Sequence, residues 1–153
     1  MIQRIQTIYL FLSALLISLM HVFPVAKLHT GPGGEIIFRS FGFFNELSPG
    51  VLIPSLPVLL LLGVVALLYL IAIFLFRNRN LQARVCRLNF LLLIGSLGLM
   101  AYYVLHVYRQ VEAVGLTIKI AALFPLITIV LTWLAVRGII KDENLVRSVD
   151  KIR

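Results

Sequence analysis

The chain of 153 residues has one cysteine, Cys86, so no disulfide can form within it. Acids are scarce too: six Asp and Glu stand against 14 Lys and Arg, a net charge of +8. In a soluble protein that excess would point to nucleic acid. Here the cations gather around long apolar runs, which points to a membrane surface and away from nucleic acid. No acid lies at the centre of any apolar run, which argues against an ion-coupled transporter, whose pathway needs an ionisable group among its helices. There is also no GxSxG, HExxH, P-loop or paired-carboxylate pattern, and so no signature of hydrolase, zinc-protease or nucleotide chemistry. The expectation is a protein that is not an enzyme and carries no cofactor.

What is abundant is apolar. Hydrophobic residues make up 61% of the chain and charged residues 13%, and the mean hydropathy is +1.04. Soluble domains average roughly half apolar and about a quarter charged. A spanning helix takes about 20 mainly apolar residues, and four stretches qualify: 5–25, 55–76, 88–108 and 116–136. None alternates with period two, and each is apolar nearly all round, as bilayer spans are. The first has some marks of a signal peptide, with Arg4 ahead of an apolar middle. Its apolar run is too long, however, and Pro24 stands where a cleavage site needs a small residue, so it is expected to stay as an anchor. The fold class expected is an all-α membrane protein: a four-transmembrane-helix bundle with a small β-hairpin in the first outer loop.

The flanking segments decide the orientation. Arg4, the group Arg77, Arg79, Arg84 and Arg87, and the group Arg137, Lys141, Arg147, Lys151 and Arg153 fall on one side, ten of the 14 cations. Lys27, Arg39, Arg109 and Lys119 fall on the other. Positive-inside bias then places both termini and the basic inner loop, 77–87, in the cytoplasm. That loop is first of all a topology determinant and a contact for anionic headgroups. The outer loop, 26–54, carries GPGG between strand-favouring runs near 25–29 and 35–41, a hairpin signal. Its Phe38, Phe41, Phe43 and Phe44 are too many for a fully wet loop and should pack on the helix ends or lie at the interface. The second outer loop, RQVEAVG, reads as a short connection. The layout is analogous to the claudin-like four-helix architecture, without the paired cysteines of claudin outer loops.

The cytoplasmic tail, 137–153, places Leu145, Val149 and Ile152 on one helical stripe and Glu143 four residues before Arg147, the favourable order for an ion pair. Asp142, Glu143 and Asp150 are the only acids on that side, and at least one of them should pair with Arg77, Arg84 or Arg87. Arg77, Arg79, Arg84, Arg87, Asp142, Glu143 and Arg147 are therefore the candidate contacts for lipid or for a protein partner, a second copy of the chain included. His21 and His106 are weak candidates for a haem, metal or quinone site, with His29 nearby, and the plainer reading is two interfacial histidines. Cys86, next to the membrane, is either an acylation site or an inert thiol. Lys119 should snorkel to the outer surface and Pro125 should kink the fourth span. Ala14 with Ser18, Gly63 with Ala66, and Gly95 with Gly98 should mark close helix approach or a dimer contact.

Three stretches, MIQRIQTIYL, FRNRNLQARVCRLN and FPLITIVLTWLAVRGIIKDENLVRSVDKIR, together resemble a family of small integral membrane proteins of Bacteroidota whose domain has no known function. The resemblance covers essentially the whole chain. It implies four spans in the inner membrane of a Gram-negative bacterium, and it carries no activity, cofactor or catalytic residue. The function expected is that of an accessory or scaffold subunit of a membrane assembly, engaged through the basic loop and tail. The alternative is a small oligomeric transporter or channel for a lipid or an apolar solute.

Overall fold

The computed structural model describes residues 2–31, 34–45 and 50–150, with the side chains of residues 2–4, Arg77 and 143–150 outside that description. Helix α1 (Ile2–Leu19) leads into strands β1 (Ala26–Thr30), β2 (Gly34–Arg39), β3 (Gly42–Asn45) and β4 (Val51–Pro54). Helix α2 (Leu56–Phe74) follows, then a 3-10 turn (Leu75–Arg77) and helix α3 (Arg79–Gln110). Strand β5 (Gly115–Ile118), a second 3-10 turn (Ile120–Leu123) and helix α4 (Phe124–Asp150) complete the described residues. The helices form a ring in which α1 packs on α2 and α4, and α3 on the same two. All the strands gather where α1 and α3 end and α2 and α4 begin. The opposite end, made of helix alone, is the basic one.

Among the described residues, three stretches are long and apolar enough to cross a membrane: Leu56–Phe74, Arg79–Gln110 and Ile120–Asp142. The apolar part of α1, Ile5–Leu19, is shorter. At 1.5 Å per residue it reaches about 22 Å, against a hydrocarbon core of roughly 30 Å. The first expected span, 5–25, thus ends early as a helix. Pro24 disfavours helical backbone just before it, and the chain turns there into β1.

Burial follows a narrow seam. Val58, Leu62, Val65, Tyr69 and Ala72 are buried on α2, and Cys86, Asn89, Leu93, Ser96 and Met100 on α3. These positions recur every three or four residues, the spacing of knobs-into-holes packing. Outside the seam the helices present Phe11, Leu60, Leu67, Leu91, Ile94 and Val130 to the surroundings, all at least half exposed. The exterior is therefore about as apolar as the interior. Polar groups tie the helices across the seam: Tyr69 Oη bonds to Thr132 Oγ1 between α2 and α4, and Asn89 Nδ2 and Gln82 Nε2 donate to Val65 O and Ala72 O from α3 to α2. In a bilayer such bonds contribute on average about 0.6 kcal/mol each.

The sheet is antiparallel throughout, in the order β4-β3-β2-β1-β5. The expected hairpin, β1 with β2, forms the middle of these five strands. Its inner face buries Ala26, Leu28, Ile36, Phe38 and Phe43, and the Phe38 and Phe43 rings stack at 4.4 Å. The outer face carries Lys27, His29, Glu35 and Thr117, joined by a 2.6 Å Lys27–Glu35 ion pair and a 2.8 Å His29–Thr117 hydrogen bond. Gly42 is required where β3 meets β4, because a Cβ there would lie 2.6 Å from Val51 Cγ1 and 2.9 Å from Ile53 O.

Several expectations change. The stretch 115–118, read as the start of the fourth span, is β5, which pairs with β1 from Ala26–Ile118 to His29–Gly115. Helix α4 begins only at Phe124, so Pro125 sits in its first turn, where a missing N–H costs nothing, and kinks no span. The inner loop, 77–87, is mostly the start of α3, since LQARVCR has neither Gly nor Pro to stop a helix. Gly63, Gly95 and Gly98 have open space where a Cβ would stand, so they do not mark contacts between the chain's own helices.

Candidate functional site

At the basic end, the start of α1, the α2–α3 turn and the end of α4 converge on Asp142. Gln6 Nε2 donates to Asp142 Oδ2 at 2.8 Å, joining residues 136 positions apart. Arg79 Nη1 stands 4.0 Å from the same oxygen. The Asp142 side chain is 8% exposed and that of Arg79 27%, so both charges sit largely out of water and need each other. One turn before Asp142, Gly138 makes the room: a Cβ there would lie 3.0 Å from Gln6 Cγ and 3.1 Å from its Nε2. Gln82, buried on the first turns of α3, donates to Ala72 O at 2.9 Å and secures a carbonyl of the last turn of α2.

This latch selects among the cations. Among the described side chains the acid that meets the basic group is Asp142, and its arginine is Arg79, which the expected set of Arg77, Arg84 and Arg87 did not include. Arg79 opens α3, beside the turn, and so faces the ring. Arg84 and Arg87 lie further along α3 on its exposed side, and Arg87 Nε donates to Ala83 O of its own helix at 3.3 Å. Lys141 is exposed on α4, and the exposed Arg137 lies 4.6 Å over the Trp133 ring, a cation–π contact. The Arg77, Glu143 and Arg147 side chains, with the Leu145 and Val149 stripe, lie outside the described residues, as does Ile152; the α4 backbone continues helical to Asp150.

The histidines are not brought together. His21 Nδ1 donates to Ile17 O at 3.1 Å on α1. His106 is exposed on α3, across the ring, and stacks on Tyr102. His29 stands on the sheet between Thr117 and Glu35. Among the described residues, no group of three or more His, Cys, Asp or Glu is placed to hold a metal ion. Cys86 is fully buried on the seam of α3, so its thiol faces the ring interior and not the membrane surface that acylation requires.

Sequence reasoning missed Gln6, Gly138 and Gln82. The signal available was positional: Gln6 and Gln82 are amides in otherwise apolar or basic segments, and Gly138 lies four residues before the acid it serves.

A ring of four apolar helices, latched at a cationic end and covered by a small sheet at the other, defines the class of α-helical proteins whose outer surface suits a lipid solvent. The chain belongs to the family described as Domain of unknown function (DUF4293), which it matches over residues 2–152. No curated protein matches the chain, and no solved structure does either.

Proposed function

We propose that this protein is a non-enzymatic, multi-pass protein of the bacterial cytoplasmic membrane, with the basic end and both termini in the cytoplasm. It acts there as an accessory or scaffold subunit of a membrane assembly. The observation that carries this reading is the division of the cations at the basic end. Arg79 is consumed internally by Asp142, whereas Arg84, Arg87 and Lys141 stay exposed on helices that the latch holds in place. Fixed outward cations form a preorganised surface, which lowers the ordering cost of engaging an acidic partner. The apolar exterior supports the membrane, and the asymmetry of Lys and Arg supports the orientation.

The test is affinity purification of the full chain from native membranes in mild detergent. A stoichiometric protein partner should be recovered, and Arg84→Glu with Arg87→Glu should reduce its recovery at least about tenfold, in line with like-charge juxtaposition at an interface. Recovery of the chain alone from cross-linked native membranes would overturn the reading.

A second reading, transport of a lipid or an apolar solute, draws on a different feature. Among the described residues, Leu62, Tyr69, Leu93 and Thr132 are fully buried within the ring, which counts against an open channel there. A lateral cleft at the sheet end keeps the lipid half of that reading open.

A further inference from the structure

Where α3 passes the edge of the sheet, a half-open cleft of about 320 Å³ enters the side of the molecule. Leu97, Ala101 and Leu105 of α3 form one wall, and Val25, Ile118 and Ala122 stand on the other side. The lining is almost entirely apolar, and the volume lies at the lower end of the roughly 300–1,000 Å³ usual for small-molecule sites. From Leu97 to Leu105 the cleft runs about 12 Å along the helix at 1.5 Å per residue. One leaflet of hydrocarbon is roughly 15 Å deep. The cleft therefore has the length and orientation of an acyl chain, in the half of α3 nearer the sheet.

A cation stands next to each of its walls. Leu97, Ala101 and Leu105 form an i+4 row, and the next member of that row is the exposed Arg109, in the last turn of α3. On the facing wall, Lys119 directly follows Ile118, and its backbone N–H donates to Val25 O at 2.9 Å, which fixes it beside the cleft's lining. Neither cation forms an ion pair among the described residues. Glu112, exposed in the connection between them at φ 47°, is the one acid in residues 105–122.

We propose that this cleft binds one acyl chain of an anionic membrane phospholipid, with its phosphate against Arg109 and Lys119. An apolar slot close to leaflet depth, with one cation adjoining each wall, complements a lipid tail joined to an anionic headgroup. The site depends on the chain lying in a bilayer. It does not depend on any partner at the basic end.

The test uses the full chain reconstituted into phosphatidylcholine vesicles containing phosphatidylglycerol, released in mild detergent and weighed by native mass spectrometry. Wild type should retain a single phosphatidylglycerol. Ala101→Phe and Ala122→Phe fill the slot from opposite walls, and each should lower retention roughly tenfold, as the loss of about two buried methylenes does. Arg109→Gln combined with Lys119→Gln should still retain a lipid but lose the preference for phosphatidylglycerol over phosphatidylcholine. Leu91→Ala, on another face of α3, and Arg84→Glu, at the basic end, should change nothing. Phosphatidylglycerol carrying a photoreactive group on its acyl chain should cross-link wild type within 97–105 and 115–122. Unchanged retention in both filled variants, labels spread evenly over all four helices, or a second copy of the chain in place of lipid at the cleft would each overturn the proposal.

Discussion

The two ends of the molecule hold their helices together by different means. The sheet end spreads its attachment over an apolar face, with Phe38, Phe43, Leu28 and Ile36 all buried against the helices. Among the described residues, the basic end relies on the Asp142 carboxylate, which meets Gln6 and Arg79. Distributed apolar burial is tolerant of geometry and roughly proportional to area. A buried polar latch is costly when half made and so fixes one arrangement of the helix ends. The sheet end thus supplies stability, and the basic end supplies register.

The sharpest way to break that contrast is at the sheet. Phe38→Ala should destabilise the protein by roughly 3–5 kcal/mol, the usual result of removing a fully buried aromatic, read as the loss of melting temperature in detergent. A shift no larger than that of an exposed Phe41→Ala control would show that the sheet contributes little. At the latch, Asp142→Ala should cost about 1–3 kcal/mol, because it leaves the Gln6 amide and Arg79 without their buried acceptor. A double-mutant cycle with Gln6→Ala should then return a clear coupling energy, and strict additivity would mean that the bond contributes nothing. Gly138→Ala should cost about 1–2 kcal/mol, since its methyl presses on the Gln6 side chain. Gln6→Ala in the same chain should relieve most of that cost; if the Gly138→Ala penalty persists without Gln6, the room at Gly138 serves something else. The smallest effect belongs to the outer face of the sheet. Glu35→Gln should move stability by about 0–1 kcal/mol, because Lys27 and Glu35 are partly exposed, and high salt should erase the difference.

The parts that could be read from the sequence were those written in local periodicity. Each apolar run announced a helix because its residues are apolar on every side, and GPGG announced the turn between β1 and β2. Strand β5 was hidden because Leu116, Thr117 and Ile118 merge without a break into the apolar run of α4. A 20-residue window cannot separate four residues of strand from the helix beyond them. Its partner, β1, lies some 90 positions earlier, and nothing local marks that pairing. The same limit applied at the basic end. Arg79, Arg84 and Arg87 are equal as charges, and only their angular positions on α3 separate the one that meets Asp142 from the two left facing outward. Gln6 was illegible as a latch because its meaning depends on a residue 136 positions away. The exposed glycines of α2 and α3 misled for the opposite reason, since small residues favour close approach only where a second helix stands in front of them.

The pairing of β1 with β5 also sets a timetable for biosynthesis. A ribosome releases the chain from its N-terminus, so β1 through β4 emerge long before β5, and Gln6 waits for Asp142 until 136 further residues have been made. Both closures therefore come after α3: a nascent chain stopped before β5 has neither its fifth strand nor its latch, and one stopped between β5 and Asp142 has the strand alone. Fragments of the first kind keep an open sheet edge and an unsealed helix end, and an unpaired edge is a template for mispairing with other chains.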